Sequence, residues 1–255
     1  MCTTCGCPTT DHDHDNSHEQ KHTNGVKHAH HHDAKPVKRS IITIEEDILS
    51  KNNRLASFNR ALFKDKGIFV LNLVSSPGSG KTSLLERTLR DLSEKLRCAV
   101  IEGDQQTDND ARRIAATGVP VRQINTGSGC HLDAHMIING TDGFDLDNLD
   151  LLLIENVGNL VCPAAFDLGE QHKVAVLSVT EGEDKPLKYP QMFRNSTVML
   201  LNKTDLLPHL DFDVEKCKQY ARNVSPGILI FEVSAKSGEG MEAWYQWLKD
   251  GAEKG

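Results

Sequence analysis

A glycine-rich segment suited to holding phosphate groups runs from Ser75 to Thr82, in the order Ser-Ser-Pro-Gly-Ser-Gly-Lys-Thr. It follows an apolar stretch at residues 68–74 and precedes a segment with helical character, which is the strand–loop–helix context of a P-loop. Its glycines let backbone N–H groups converge on phosphates, and the helix N-terminus adds positive partial charge. Ser75 stands where the motif usually has its first glycine. The predicted phosphate-binding residues are Gly78, Ser79, Gly80, Lys81, Thr82 and Ser83.

The sequence Asn-Lys-Thr-Asp at residues 202–205 follows another apolar stretch and matches the N-K-x-D element of GTPases. The carboxylate of Asp205 is able to accept from both the ring N–H and the exocyclic amine of guanine, and adenine lacks that donor pair. The Ser-Ala-Lys sequence at residues 234–236 resembles the second guanine element. We therefore predict GTP and GDP as ligands, with the base and ribose held by Asn202, Lys203, Asp205, Ser234 and Ala235.

Two further segments carry groups for hydrolysis. Asp104 follows an apolar stretch, and we predict that it binds Mg²⁺ together with the hydroxyl of Thr82. Glu155 and Gly158 lie where most GTPases have D-x-x-G, so Glu155 is predicted to hold a metal-bound water and Gly158 to contact the γ-phosphate. Because no water-positioning Gln and no arginine finger are evident, we expect slow GTP hydrolysis that a partner or dimerisation completes. The predicted catalytic residues are Lys81, Asp104, Glu155 and Gly158.

A second group of residues has the chemistry of transition-metal ligands. Cys130 and His131 follow a glycine-rich turn, at what we predict to be the start of a helix that lowers the pKa of the thiol. Cys162 lies only four residues beyond Gly158, which predicts a link between nucleotide state and metal binding. Two thiolates and an imidazole suit Ni²⁺ or Zn²⁺, and the ligand types do not decide between them.

The first 40 residues contain eight of the twelve His and three of the seven Cys, but no Leu, Ile, Phe, Tyr or Trp. Such a segment cannot bury a core, so we predict a disordered metal-binding tail over residues 1–40 and one domain over residues 41–255. Cys2, Cys5 and Cys7 suit one ion, Ni²⁺ in a square plane or Zn²⁺ in a tetrahedron. The alternatives are a redox-active or incidental thiol pair and a solvated low-complexity linker.

Charge and composition exclude several classes of protein. The net charge of −7 belongs entirely to residues 41–255, which have 24 basic and 31 acidic residues, so we expect no nucleic-acid partner. No apolar run is long enough for a membrane span or a signal peptide. The odd, clustered Cys do not predict a secreted disulfide framework, so we expect a cytoplasmic protein.

Short apolar stretches alternate with helical ones along residues 41–255, which is typical of an α/β fold with a mainly parallel sheet flanked by helices. A first helix is predicted to begin at Thr43, because Glu46 lies three residues on as in a capping box. The predicted strands are at residues 68–74, 98–102, 149–154, 173–179, 197–201 and 228–233.

Taken together, these motifs closely resemble the HypB family, the nickel-inserting GTPases of nickel-iron hydrogenase maturation. The resemblance rests on C-x-x-C-G-C, the His-rich stretch, S-P-G-S-G-K-T, G-S-G-C-H-L-D-A-H-M, E-N-V-G-N-L-V-C-P and N-K-T-D, which together span nearly the whole chain. It implies a SIMIBI-type P-loop fold, a GTP-dependent homodimer, and nickel transfer with a HypA-type chaperone to the hydrogenase large-subunit precursor. It further implies that Cys130, His131 and Cys162 form one metal site and that Cys2, Cys5 and Cys7 form another.

Two alternative functions are considered for the same motifs. The urease accessory GTPase UreG has a similar motif with Cys-Pro-His, whereas this chain has Cys-Pro-Ala at residues 162–164 and carries Cys130-His131 instead. The second alternative is a nickel storage or buffer protein whose nucleotide binding is vestigial, against which the intact Lys81, Thr82 and Asp205 argue.

Overall fold

The computed structural model describes residues 37–105 and 108–254. Cys2, Cys5, Cys7 and the eight His of the predicted tail lie outside these residues. In the described part of the chain, seven parallel strands form one sheet in the order β3-β2-β4-β1-β5-β6-β7. The strands are β1 (Phe69–Ser75), β2 (Cys98–Asp104), β3 (Val121–Asn125), β4 (Leu151–Glu155), β5 (His172–Ser178), β6 (Val198–Asn202) and β7 (Leu229–Glu232).

Helices cover both faces of this sheet. They are α1 (Val37–Asp65), α2 (Lys81–Leu92), α3 (Asn109–Ala115), α4 (Ala134–Gly140), α5 (Lys185–Lys188), α6 (Pro190–Asn195), α7 (Val214–Val224) and α8 (Met241–Ala252). The central strands are buried on both faces, which is why they are almost continuously apolar in sequence. A search of the described helices finds no apolar stretch long enough to span a bilayer.

Successive residues of β1 alternate between two hydrophobic cores, one on each face of the sheet. Leu71 and Leu73 pack with residues of α2 and α8, including the fully buried Trp244. Val70 faces the other side of the sheet, where it packs with Phe63 of α1 and with α4 residues. The strand that leads into the P-loop is therefore held rigidly from both sides.

Two details differ from the sequence prediction. A seventh strand, β3, lies at the edge of the sheet next to β2. The first helix begins at Val37, so Thr43 lies inside α1 and is not its N-cap. The capping-box prediction is wrong because the residues before Thr43 continue the helix.

Candidate nucleotide and metal site

The P-loop connects the buried strand β1 to the N-terminus of α2. Gly78 and Gly80 adopt left-handed backbone conformations, with φ of 79° and 89°. Ser75, which stands where the motif usually has its first glycine, is the last residue of β1. The Ser75 hydroxyl donates to the carbonyl oxygen of Ser76 at 2.9 Å. The loop borders a cleft of about 560 Å³ whose lining includes Gly78, Ser79, Gly80, Lys81, Thr82, Ser83, Asp104 and Gly158. The structure thus brings the predicted phosphate-binding residues together with Asp104 and Gly158.

Glu155 contacts two side chains of this cleft, and the sequence did not predict these contacts. Its Oε1 atom accepts from Lys81 Nζ at 3.0 Å and from Thr82 Oγ1 at 2.7 Å. The Glu155 side chain is only 2% exposed, so this carboxylate and the Lys81 ammonium form a buried ion pair. Glu155 therefore directly contacts the two P-loop side chains that are predicted to bind phosphate and Mg²⁺.

Glu102 is a further acidic residue of this region, and the sequence prediction passed over it in favour of Asp104. It lies directly opposite Glu155 in the pairing of β2 with β4, and it is 2% exposed. Burial, followed by the nearby charges of Glu155 and then Asp104, raises the pKa of Glu102 to about 8. No sequence motif marks this residue, because its position opposite Glu155 depends on strand register.

The carboxyl groups on β2 and β4 have the composition of a divalent-cation site. Oε2 of Glu102 and Oε2 of Glu155 are buried without a hydrogen-bond partner among the described residues. The hydroxyl of Thr82 and the carboxylate of Asp104 line the cleft nearby. Oxygen ligands of this kind fit the small hard cation Mg²⁺. The donor set therefore fits the predicted Mg²⁺.

The predicted guanine-binding elements pack directly on the P-loop. Asn202 Nδ2 donates to the carbonyl oxygen of Ser79 at 3.0 Å, and Lys203 Nζ donates to that of Gly78 at 2.6 Å. Ser234 Oγ donates to Asp205 Oδ1 at 2.6 Å, which fixes the carboxylate that is predicted to read the base. A second cavity, of about 440 Å³, lies here and shares Gly80, Ser83 and Lys203 with the phosphate cleft; its lining includes Asn202, Asp205, Ala235 and Lys236.

The predicted transition-metal ligands come together from two separate loops. One ligand atom each from Cys130, His131 and Cys162 lies within 4.8 Å of the other two. Cys130 Sγ is 3.7 Å from His131 Nδ1, and the ring of Phe166 packs on that of His131 with centroids 3.8 Å apart. Burial lowers the pKa of His131, which favours the neutral imidazole that binds metals.

The helix argument for Cys130 is wrong. Helix α4 begins at Ala134, and its N-cap is Asp133, whose side chain accepts from Met136 N at 2.8 Å. Cys130 therefore lies in the loop before the cap, and Asp133 satisfies the helix terminus in its place. Two other cysteines, Cys98 and Cys217, are buried core residues, and burial raises the pKa of each thiol to about 12.

Comparison with known proteins places this arrangement in a family. Residues 69–232 match the family model described as CobW/HypB/UreG, nucleotide-binding domain. The hydrogenase maturation factor HypB of Azotobacter vinelandii is 67% identical over 211 residues, which cover 82% of this chain and 69% of that protein. This chain belongs to the HypB family of hydrogenase maturation factors. The resemblance predicted from the motifs is confirmed.

Solved structures of HypB proteins have the same fold. The crystal structure of HypB from Archaeoglobus fulgidus is 40% identical with a TM-score of 0.74, and the match covers 80% of this chain and 99% of that one. The crystal structure of HypB from Helicobacter pylori in complex with nickel is 39% identical with a TM-score of 0.75, covering 80% and 95%. The predicted parallel α/β sheet of a P-loop GTPase fold is therefore confirmed for the described residues of this HypB family member.

Proposed function

We propose that this chain is a GTP-hydrolysing nickel metallochaperone that delivers nickel to the large-subunit precursor of a nickel-iron hydrogenase. The observation that carries the proposal is the loop after β4. Glu155, the last residue of β4, contacts Lys81 and Thr82. The loop that follows it lines the phosphate cleft at Gly158 and reaches the cluster of thiols and imidazole at Cys162. The nickel complex of the H. pylori relative supports nickel as the cargo.

Binding of Mg-GTP would change the partners of Lys81 and Thr82. Lys81 would leave Glu155 for the outer phosphates, and the Thr82 hydroxyl would join Asp104 in holding Mg²⁺. When bound, Mg²⁺ neutralises charge on the phosphate oxygens. Glu155 would then lose both of its donors, so the carboxyl end of β4 must adjust, and Gly158 is the part of that loop that borders the phosphates.

The nickel site would consist of Cys130, His131 and Cys162, with a fourth position for water or for a group from a partner. The same donor set accepts Zn²⁺. Cys2, Cys5 and Cys7 would collect nickel before it reaches this site. We further propose a cytoplasmic protein that forms a nucleotide-dependent homodimer and works with a HypA-type chaperone, without nucleic-acid or membrane partners.

Metal stoichiometry and X-ray absorption of nickel-loaded protein test this function. With Cys162→Ala, the nickel should lose one sulfur ligand and the protein should bind one nickel ion fewer. Cys217→Ala, which alters a buried thiol of α7, should leave the nickel spectrum unchanged. Both proteins are measured with GDP and with a non-hydrolysable GTP analogue. A nickel environment that does not respond to Cys162→Ala would contradict the proposed cargo site.

GTP turnover separates the metallochaperone from the nickel buffer. A metallochaperone should release phosphate from GTP in the presence of Mg²⁺ and respond to nickel. If the chain binds nickel but releases no phosphate under any metal condition or at any dimer concentration, the storage alternative is correct.

A further inference from the structure

A buried amide follows the carboxylate that contacts the P-loop. Asn156 is 1% exposed and stands immediately after Glu155. Its Oδ1 atom accepts from Leu132 N at 3.1 Å and from Val157 N at 3.0 Å. Because Leu132 adjoins His131 in the chain, this one side chain holds the loop of Cys130 and His131 against the end of β4.

The loop that carries Cys162 is held by a different strand. Lys173, on β5, is 6% exposed, and its ammonium donates to three backbone carbonyl oxygens. These belong to Pro163 at 3.0 Å, Ala164 at 3.3 Å and Phe166 at 2.9 Å. The first of these carbonyl groups lies one residue after Cys162. The last belongs to Phe166, whose ring packs on that of His131.

Two buried side chains connect Asn156 to Lys173. Asn72, on β1, accepts from Asn156 Nδ2 at 3.2 Å and donates to Glu170 Oε1 at 3.1 Å. The Glu170 carboxylate lies 3.8 Å from the Lys173 ammonium and also accepts from Leu168 N at 2.7 Å. All four side chains are more than nine-tenths buried, so each depends on the others to satisfy its polar atoms.

This network differs from an ordinary buried polar cluster in the segments that it connects. One end holds the loop of two metal-ligand residues, the other end holds the loop of the third, and the middle lies on β1, the strand that leads into the P-loop. Resting on the proposed function, we propose that Asn156 and Lys173 are positioning residues for the Cys130–His131–Cys162 metal site. Asn156 sets the position of the first loop, and Lys173 sets that of the second.

Nickel titration of the full-length chain tests this proposal. The background carries Cys2→Ser, Cys5→Ser and Cys7→Ser, so that thiolate-to-nickel charge-transfer absorption reports only the site of Cys130 and Cys162. In this background, Asn156→Ala should weaken nickel binding at least tenfold and shift or broaden the charge-transfer bands. Lys173→Met should have the same two effects, and Lys173→Arg, which retains a cation with several donors, should partly restore the bands.

Thr88→Val is the matched control. Thr88 is 1% exposed on α2, and its hydroxyl accepts from Trp244 Nε1 at 3.1 Å, so the variant also leaves a buried donor without a partner. It should lower the melting temperature but leave nickel affinity within twofold of the background and the bands unchanged. This outcome would show that lost stability alone does not disturb the metal site.

Two results would overturn the inference. One is a folded Asn156→Ala protein with the nickel affinity and bands of the background, a result that decides the matter even if Lys173→Met does not fold. The other is a Thr88→Val protein whose nickel affinity falls as far as that of Asn156→Ala at equal loss of thermal stability. An absence of charge-transfer bands in the unsubstituted background would instead refute the proposed cargo site, and the inference with it.

Discussion

Replacing Glu102 with Gln should remove a pH dependence from the folding stability of the metal-free protein. Glu102 is buried opposite Glu155, and its carboxyl has a folded-state pKa of about 8 against a reference of 4.5. The folded chain therefore keeps this proton up to about pH 8, whereas the unfolded chain releases it near pH 4.5. The stabilisation is fully present below pH 4.5 and is lost as the pH rises through about 8.

The size of the effect follows from proton linkage. While one proton is bound only in the folded state, the free energy of unfolding falls by about 1.4 kcal/mol for each pH unit. Between pH 5.5 and 7.5, Glu102 should thus lower the stability of the wild-type chain by roughly 2–3 kcal/mol relative to Glu102→Gln. For a domain of this size, that difference corresponds to a relative change in melting temperature of about 5–10 °C.

Urea unfolding of both proteins measures this difference directly. The titrations are run at several pH values with EDTA, to remove cations, and with a reductant for the thiols. The exposed Glu94→Gln variant controls for the loss of one carboxyl group from the chain. The reasoning is refuted if the difference between the wild type and Glu102→Gln changes by less than about 0.5 kcal/mol across the window, because a full proton difference would change it several-fold more.

Three other outcomes follow from the site geometry. Asp205→Asn should weaken GTP binding about a hundredfold or more and favour xanthine nucleotides, because it replaces an acceptor with a donor; competition with fluorescent nucleotides measures this, and unchanged GTP affinity would contradict the base assignment. Lys81→Ala should abolish phosphate release from GTP yet leave nickel binding by the tail intact in equilibrium dialysis, and a turnover rate near that of the wild type would exclude Lys81 from catalysis. Burial raises the pKa of Cys98 and Cys217 to about 12, so a thiol reagent should leave both unlabelled in the folded protein and react instead with the half-exposed Cys130 and Cys162, a pattern that mass spectrometry of tryptic peptides would confirm or reverse.

The sequence predicted the six strands that form continuous apolar runs, and the structure confirms them with bounds shifted by up to two residues. It did not predict β3, because Val121–Asn125 lies at the sheet edge and has only two apolar residues, Val121 and Ile124, among three polar ones. An edge strand is covered less than a central one, so its composition is close to that of a loop. The missed strand matters, because the chain leaves it toward the loop of Cys130 and His131.

The N-termini of α1 and α4 show a second limit of prediction from local sequence patterns. Thr43 with Glu46 and Cys130 with its following residues both look like helix starts, yet the structure places the N-termini at Val37 and Ala134. A capping pattern reports that a residue is able to cap, and the neighbouring residues decide whether the helix ends there. The structure nevertheless brings Cys130 and His131 close to Cys162, since loops that follow parallel strands lie at the same end of the sheet whatever the helix bounds.

Contacts across the sheet were beyond the reach of the sequence. Glu102 lies next to Glu155 only through the register that pairs β2 with β4. Lys173 donates to the loop at residues 163–166 only because the fold brings β5 next to that loop. Neither residue belongs to a motif, and a buried Lys or Glu in an apolar run gives no indication of its partner. Strand register therefore determines the supporting residues of the site, while the motifs determine the residues that would touch its ligands.

The order of the strands explains how the P-loop and the cluster of Cys130, His131 and Cys162 come to lie at the same end of the sheet. The P-loop strand β1 has β4 on one side and β5 on the other. The loop after β4 therefore starts beside the P-loop, where a Cβ at Gly158 would lie 3.4 Å from Pro77, and Lys173 of β5 holds the far end of this loop. A loop fixed at both ends to the neighbours of β1 has little freedom to absorb a displacement at Glu155 locally. We expect such a displacement to reach Cys162 instead, and strand adjacency would then provide the proposed coupling between GTP and nickel.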